Sequence, residues 1–86
     1  MQVLINSIDS GTGESHSFIT EIFILDGESV LQAYMNESFD PDAEEILHIV
    51  THFEVIENHA NFVFHSDDPH FGKVSVVGVV HVLEDQ

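Results

Sequence analysis

Two histidines in the middle of the chain have the spacing of a metal site. His48 and His52 are four residues apart, and Glu44 precedes them by four more. On a helix this spacing places the three side chains along one face, and imidazole with carboxylate is a donor set that binds metal ions. The residues between the histidines, 49–51, are Ile-Val-Thr, so the HExxH pattern with its general base is missing. Chance placement on a solvent-facing surface explains the pair, and we predict neither a metal site nor a cofactor.

Two further segments resemble catalytic or phosphate-binding sequences. Residues 67–70 (Asp-Asp-Pro-His) imitate an acid–base cluster, but Asp and Pro also form turns. Residues 10–13 (Ser-Gly-Thr-Gly) contain the glycines of a phosphate loop without the lysine that such a loop requires. The chain has no cysteine, which excludes a thiolate nucleophile and a zinc–thiolate site. We therefore predict that the protein is not an enzyme.

The charge balance is the most unusual property of the sequence. Sixteen Asp and Glu residues stand against one basic residue, Lys73, and the net charge at pH 7 is −15. Such crowding of like charges destabilises a compact state by self-repulsion, so some function must favour keeping it. The same charge repels phosphate, which argues against nucleic acid, anionic membranes and ATP-like substrates as direct ligands. The expected partner is a basic, nucleic-acid-binding protein.

Most of the carboxylates are concentrated in the middle of the chain, with a second group in a later segment. Exposed apolar side chains beside them would anchor a docked partner, because binding hot spots need desolvated apolar contact. The predicted partner-binding residues are Asp26, Glu28, Glu37, Asp40, Asp42, Glu44, Glu45, Glu54, Glu57, Asp67 and Asp68, with Tyr34 and Phe39 as apolar anchors.

The spacing of these acids matches the spacing of phosphates. Side chains three or four residues apart on a helix are about 5–6 Å apart, and alternate residues of a strand recur at about 6.6 Å. Successive phosphates on a duplex strand are roughly 6–7 Å apart, given a rise of about 3.4 Å and the helical path. An acidic helix edge beside an acidic loop can thus imitate the charge pattern of DNA.

The elements that would position these residues begin with a hairpin. Residues 2–8 and 17–25 are rich in Val, Ile, Phe and Thr, which is typical of strands, and turn-forming residues separate them. After Asp26-Gly27, the apolar residues at 30, 31, 34 and 35 have helical spacing, which predicts a short helix over 27–36.

The next segment has two interpretations. Asp40 is a good N-cap and Pro41 suits the first helical position, which favours a helix over 41–51 followed by a strand over 53–57. Residues 46–57 (ILHIVTHFEVIE) are also β-prone, so one long strand is the competing interpretation.

Two more strands complete the expected fold. Residues 62–65 and 73–83 are rich in β-branched and aromatic residues, and a loop over 66–72 separates them. The order of elements predicts an α+β fold, in which an antiparallel sheet of about five strands carries two short helices packed on one face. The length of 86 residues predicts a single domain, 1–86.

Several strands are apolar on both sides. In the last strand Val76 and Val80 point one way, and Val77 and Val79 point the other way. A sheet with one wet face should alternate apolar and polar residues, and two short helices cover only one face. We therefore expect the second face to be buried by curling of the sheet or by a second chain, as in a homodimer.

No segment predicts a membrane span or a secretory signal. The most apolar run, 74–83, is far shorter than the roughly 20 residues that cross a bilayer, and the first residues lack a basic region followed by an apolar stretch. The expected location is the cytoplasm, which is the host cytoplasm if the protein is viral.

In size, charge and lack of arginine the chain resembles the phage-encoded acidic DNA-mimic inhibitors. These include the uracil-DNA glycosylase inhibitor, anti-restriction proteins and acidic anti-CRISPR proteins. The resemblance rests on overall composition and on no motif. It implies a viral inhibitor that blocks the nucleic-acid site of a host defence or repair protein, such as a nuclease or a CRISPR effector.

Three alternatives remain open at the level of sequence. An immunity protein that neutralises a basic toxin nuclease would share the same electrostatics. A halophile-adapted small domain would also be acidic, although it should unfold in low salt. A small histidine-rich metal-binding protein is the third.

Overall fold

The computed structural model describes residues 1–11, 13–38, 48–68 and 72–83, and these form a five-stranded sheet with one helix. The elements are β1 (Gln2–Asp9), β2 (Ser15–Glu21), α1 (Gly27–Ser38), β3 (His48–Ile56), β4 (His59–Asp68) and β5 (Gly72–Val82). The strand order is β2-β1-β5-β4-β3, and every neighbouring pair is antiparallel. The predicted antiparallel sheet of about five strands, within a broadly α+β fold, is confirmed.

Helix α1 begins where its sequence provides a cap. Asp26 Oδ1 accepts a hydrogen bond from the backbone N–H of Ser29 at 2.8 Å, which satisfies one of the donors that a helix start leaves unpaired. The helix then comes close to β3 through Gly27, where an added Cβ would lie 2.8 Å from Val50 Cγ1. The helix predicted over 27–36 is confirmed and extends to Ser38. No helix among the described residues is long and apolar enough to cross a bilayer.

The core lies between α1 and one face of the sheet. Tyr34 of the helix packs its ring 5.9 Å from that of Phe64 on β4, and the rings of Phe62 and Phe64 are stacked at 4.5 Å. Burial of these apolar surfaces is the main favourable term in folding. The buried apolar residues are Val3, Ile5, Ile22, Val30, Leu31, Tyr34, Ala60, Phe62, Phe64, Val76 and Val80.

The prediction of a second helix over 41–51 is wrong for residues 48–51, which belong to strand β3. Ile49, Val50 and Thr51 are β-branched and pack better on a pleated surface than in a helix, and β3 finds a full partner in β4. The competing interpretation, one long strand, is right over 48–56. Residues 41–47 lie outside the described residues, and α1 is the only helix among those described.

Three other boundaries differ from the prediction. Strand β2 covers 15–21 and not 17–25, because the chain leaves the sheet before it reaches the helix cap. Strand β4 covers 59–68 instead of 62–65, and the turn before it contains only Glu57 and Asn58. The expected loop over 66–72 is shorter, because residues 66–68 pair with the start of β5.

A β-bulge separates the two histidines that suggested a metal site. The register of β3 against β4 shifts between Val50 and His52, and the Thr51 hydroxyl donates a hydrogen bond to the Val63 carbonyl at 3.0 Å. An extra residue in one strand reverses the side to which the following residues point. His48 therefore lies on the helix side, with its ring 6.2 Å from Tyr34, whereas His52 lies on the opposite side.

The sheet surface opposite α1 is called here the open face. It carries the alternate residues that do not point toward the core, and several of its large apolar side chains are exposed. Ile8 on β1 is 57% exposed and Val77 on β5 is 52% exposed. The open face includes Leu4, Asn6, Ile8, Ile19, His52, Ile56, His59, Asn61, Val63, His65, Val77, Val79 and His81.

Candidate functional site: an acidic cleft beside an exposed phenylalanine

A cleft lies between the end of β2 and helix α1, and three carboxylates line it. Its volume is about 410 Å³. The acidic residues are Glu21 from β2 and Glu28 and Glu37 from α1, and Phe23 stands at its border. We call this site the acidic cleft. The remaining lining residues are Thr20, Ile22, Ser29, Gln32, Ala33 and Asn36.

Helical geometry explains why both glutamates of α1 reach the cleft. Residues 29, 32, 33 and 36 form one stripe along the helix, because positions three and four apart are neighbours. Glu28 and Glu37 lie on the two borders of that stripe. They are nine residues apart, which is about 13–14 Å along the helix axis. This distance corresponds to roughly two phosphate intervals on a duplex strand.

Phe23 is fully exposed, at 102% of its reference area. It follows Ile22, which is buried, and the chain here turns away from the sheet, with the Asp26 N–H bonded to the Ile24 carbonyl at 3.1 Å. A large aromatic side chain held in water gains free energy when a partner covers it. Sequence reasoning missed Phe23 because it placed this residue inside a strand. The turn-forming pair Asp26-Gly27 was the only local indication that the strand ends earlier.

Asp26, a predicted contact residue, has a structural role. Its carboxylate is bonded to the N-terminus of α1, as described above. A negative charge at this end of a helix is also favoured by the macrodipole. Part of its hydrogen-bonding capacity is therefore already used within the molecule.

Tyr34, predicted as an exposed anchor, lies in the core. It is only 7% exposed and packs between His48 and Phe64. Burial raises the pKa of the Tyr34 hydroxyl above its ordinary value of 10.0, and the negative charge of Asp9 raises it further. A partner cannot reach this ring without opening the core, so Tyr34 is not a surface contact.

The acids on the β3–β4 hairpin do not line the acidic cleft. Glu54 lies on β3, the sheet edge opposite β2, and it points to the open face, whereas α1 packs on the other side of this strand with Gly27 close to Val50 and Phe53. Glu57 lies in the turn after β3. Asp67 lies at the opposite end of β4 from that turn, eight residues beyond His59, which is about 27 Å along the strand. The structure thus brings Glu28 and Glu37 together with Glu21, and it does not gather these other acids with them.

The single lysine, Lys73, lies at the start of β5, beside the far end of β4. Asp67 is the register partner of Lys73, and Asp68 is the register partner of Gly72. The lysine offsets part of the negative charge at this end. The predicted contacts Phe39, Asp40, Asp42, Glu44 and Glu45 lie outside the described residues.

The other candidate segments have local structural roles. The Asp9 carboxylate accepts a hydrogen bond from the Gly11 N–H at 2.7 Å, and the Ser10 hydroxyl accepts one from the Ser75 N–H at 2.8 Å, so this loop ties β1 to β5. Among the described residues, no three His, Asp or Glu side chains are grouped closely enough to hold a metal ion. On the open face, His59 and His81 are cross-strand partners with ring centroids 6.1 Å apart.

Comparison with known proteins finds no matching family model, no matching curated protein and no matching solved structure.

Proposed function

We propose that the protein is a DNA-mimic inhibitor, which binds the basic nucleic-acid-binding surface of a host defence or repair protein and so blocks nucleic-acid binding. The observation that carries the proposal is the acidic cleft, in which three carboxylates lie beside the fully exposed ring of Phe23. In this proposal Glu21, Glu28 and Glu37 meet lysines or arginines that otherwise grip phosphates, and Phe23 is the apolar anchor.

The charge of the whole chain supports the proposal. At physiological salt the Debye length is about 8 Å, so the acids of one surface act together on an approaching basic groove. Steering of this kind increases association rates by about 10 to 10³-fold. An anchor is still required, because exposed charge pairs contribute little to affinity. Phe23 supplies the contact that charge alone lacks.

The experiment is a capture assay with the purified protein as bait in host-cell lysate at 50 mM NaCl. The expected result is capture of a basic nucleic-acid-binding protein that is released by 500 mM NaCl and, at constant salt, by duplex DNA. Failure to retain any such protein at 50 mM NaCl would overturn the proposal. Circular dichroism at 50 mM NaCl is measured first, because unfolding there would favour the halophile-adapted domain instead.

Variants then test the place of binding. We expect Phe23→Ala to weaken binding to the captured protein by about 2 kcal/mol, roughly thirtyfold. The pair Glu28→Gln with Glu37→Gln should slow association and flatten its salt dependence. The matched control is Glu54→Gln with Glu57→Gln, which removes the same charge at the other sheet edge. If the control pair weakens binding and the cleft pair does not, the cleft is not the binding site.

A further inference from the structure

The open face has a continuous apolar centre. Ile8, Val77 and Val63 are register neighbours across β1, β5 and β4, and Val79 lies in the adjacent row. A shallow depression of about 470 Å³ lies over this centre. Contiguous exposed apolar surface that is rimmed by polar residues marks an interaction site.

The centre of the open face is also uncharged. Its polar residues there include Asn6 and Asn61, which flank Val79 in the sheet, and His52, the register partner of Val63. The ionised groups described on this face lie at its periphery: Glu21 and Glu54 on the two edge strands, and Asp67 with Lys73 at the far end of β4 and β5. A basic partner finds no counter-charge at the centre, whereas a second copy of the chain meets apolar surface without opposing charges.

The area is sufficient for a stable pair. Five strands at about 4.8 Å spacing give a width of about 24 Å, and strands of 7 to 11 residues give lengths of about 23–36 Å. The surface is therefore on the order of 700 Å², close to the roughly 800 Å² that each partner buries in a standard interface. Two such faces pack at about 10 Å with their strands rotated by about 30°.

We propose that the open face is the interface of a symmetric homodimer, in which the apolar centres around Val77 of two copies pack against each other as a β-sandwich. A two-fold axis brings the same patch of each copy together. The acidic clefts then lie on the two outer surfaces. The proposal is independent of the proposed function, because the apolar centre around Val77 shares no residue with the lining of the acidic cleft.

Salt must act on this dimer in the opposite direction from its effect on partner binding. Each copy carries a net charge of −15, and the two copies repel each other more strongly as the Debye length grows from about 8 Å at 0.15 M to about 30 Å at 0.01 M salt. The homodimer is expected to weaken in low salt, whereas a complex with a basic protein is expected to strengthen.

The experiment is sedimentation velocity of the full chain over a concentration series at pH 7.5 and 0.15 M NaCl. We expect a species of twice 9.6 kDa whose dissociation constant rises about tenfold or more in 0.01 M NaCl. Val77→Lys should raise the dissociation constant of the dimer by about a hundredfold or more, since the substitution buries an unpaired charge in the interface. Ile8→Lys is the second variant in case the first does not fold. Ile24→Lys, at an exposed apolar residue outside the open face, is the control and should leave the dimer intact.

Three outcomes would overturn the proposal. These are a monomer at all concentrations up to about 1 mM, a dimer that folded Val77→Lys or Ile8→Lys leaves unchanged, and a dimer that Ile24→Lys breaks. Association that increases steadily toward the isoelectric point, near pH 4.3, would also count against it, because loss of net charge and not the open face would then control assembly.

Discussion

The ring of Phe62 lies against the backbone of Gly78 on the neighbouring strand. The two residues are register partners in the β4–β5 ladder, and a Cβ at position 78 would overlap both the Phe62 ring and the main-chain oxygen of Asn6. The missing side chain lets Phe62 become fully buried between the sheet and the helix. Glycine is therefore required here by the close approach of an aromatic ring and a neighbouring strand.

We expect Gly78→Ala to destabilise the protein by about 1–3 kcal/mol, the usual range for overpacking. Urea unfolding followed by circular dichroism measures the change. Ser75→Ala on the same strand is the matched control, since its backbone N–H still bonds to Ser10 and no atom is added. Equal stabilities of the two variants would show that the Phe62 ring and the main chain at Asn6 can both move aside at no cost.

Ser7 has a buried hydroxyl, 3% exposed as a residue, that finds no hydrogen-bond partner among the described residues. Burying an unsatisfied hydroxyl costs about 1–3 kcal/mol, so Ser7→Ala should raise the free energy of unfolding by about 1 kcal/mol. Ser17→Ala, which removes an exposed hydroxyl bonded to Asn6 at 2.6 Å, is the comparison and should not stabilise. A loss of stability in Ser7→Ala would reveal a partner for the hydroxyl.

The raised pKa of Tyr34 predicts a loss of stability in alkali. The folded state holds the phenolic proton more tightly than the unfolded chain, whose value is near 10.0. The contribution of Tyr34 to the free energy of unfolding is fully present below pH 10. It is lost as pH rises from there through the higher pKa of the folded state. Tyr34 is the only tyrosine and there is no tryptophan, so ultraviolet absorbance reports its ionisation directly.

The control for this prediction is Tyr34→Phe. Its stability should vary less between pH 9 and pH 11 than that of the parent protein, because phenylalanine has no phenolic proton to lose in either the folded or the unfolded state. Ionisation of Tyr34 at its ordinary value in the folded protein would contradict the prediction.

Glu57 has a backbone φ of 57°, in the left-handed region, within the two-residue turn between β3 and β4. This conformation costs a non-glycine residue about 1 kcal/mol. Glu57→Gly should therefore stabilise the protein by up to about 1 kcal/mol. Asn58→Gly, at a position without positive φ, should destabilise it, and Glu57→Gln separates the effect of charge from that of the backbone. Thermal unfolding of the three variants tests the ranking.

Strands with strong β-propensity and the capped helix could be predicted from local sequence. The predicted bounds lie within two residues of the observed ones for β1, β5 and α1, because the apolar pattern of each element agrees with its flanking turns. The start of β3 could not be placed, because Ile49 and Val50 fit an apolar helical stripe as well as a strand. Pairing with β4 decides between the two, and that pairing is a long-range contact that one local window does not contain.

The candidate site could be predicted only in part, for a related reason. Glu28 and Glu37 follow from helical spacing, but Glu21 and Phe23 depend on where β2 ends. The last register pair of that strand is Gln2 with Glu21, and apolar alternation continues past it in the sequence. Tyr34 was predicted to be exposed but is buried, because its position in the helix does not by itself indicate which face of the helix packs on the sheet.

The central ladder of the sheet has a consequence for how the chain folds. Strands β2 and β1 form one local hairpin, and β3, β4 and β5 form a second local unit, but residues 3–9 pair with residues 76–82. The contacts that join the two units are about seventy residues apart in sequence, and long-range pairing of this kind slows folding. Because Ile5 and Val80 lie on either side of that junction, neither unit completes the core alone, and refolding should be limited by this single late encounter.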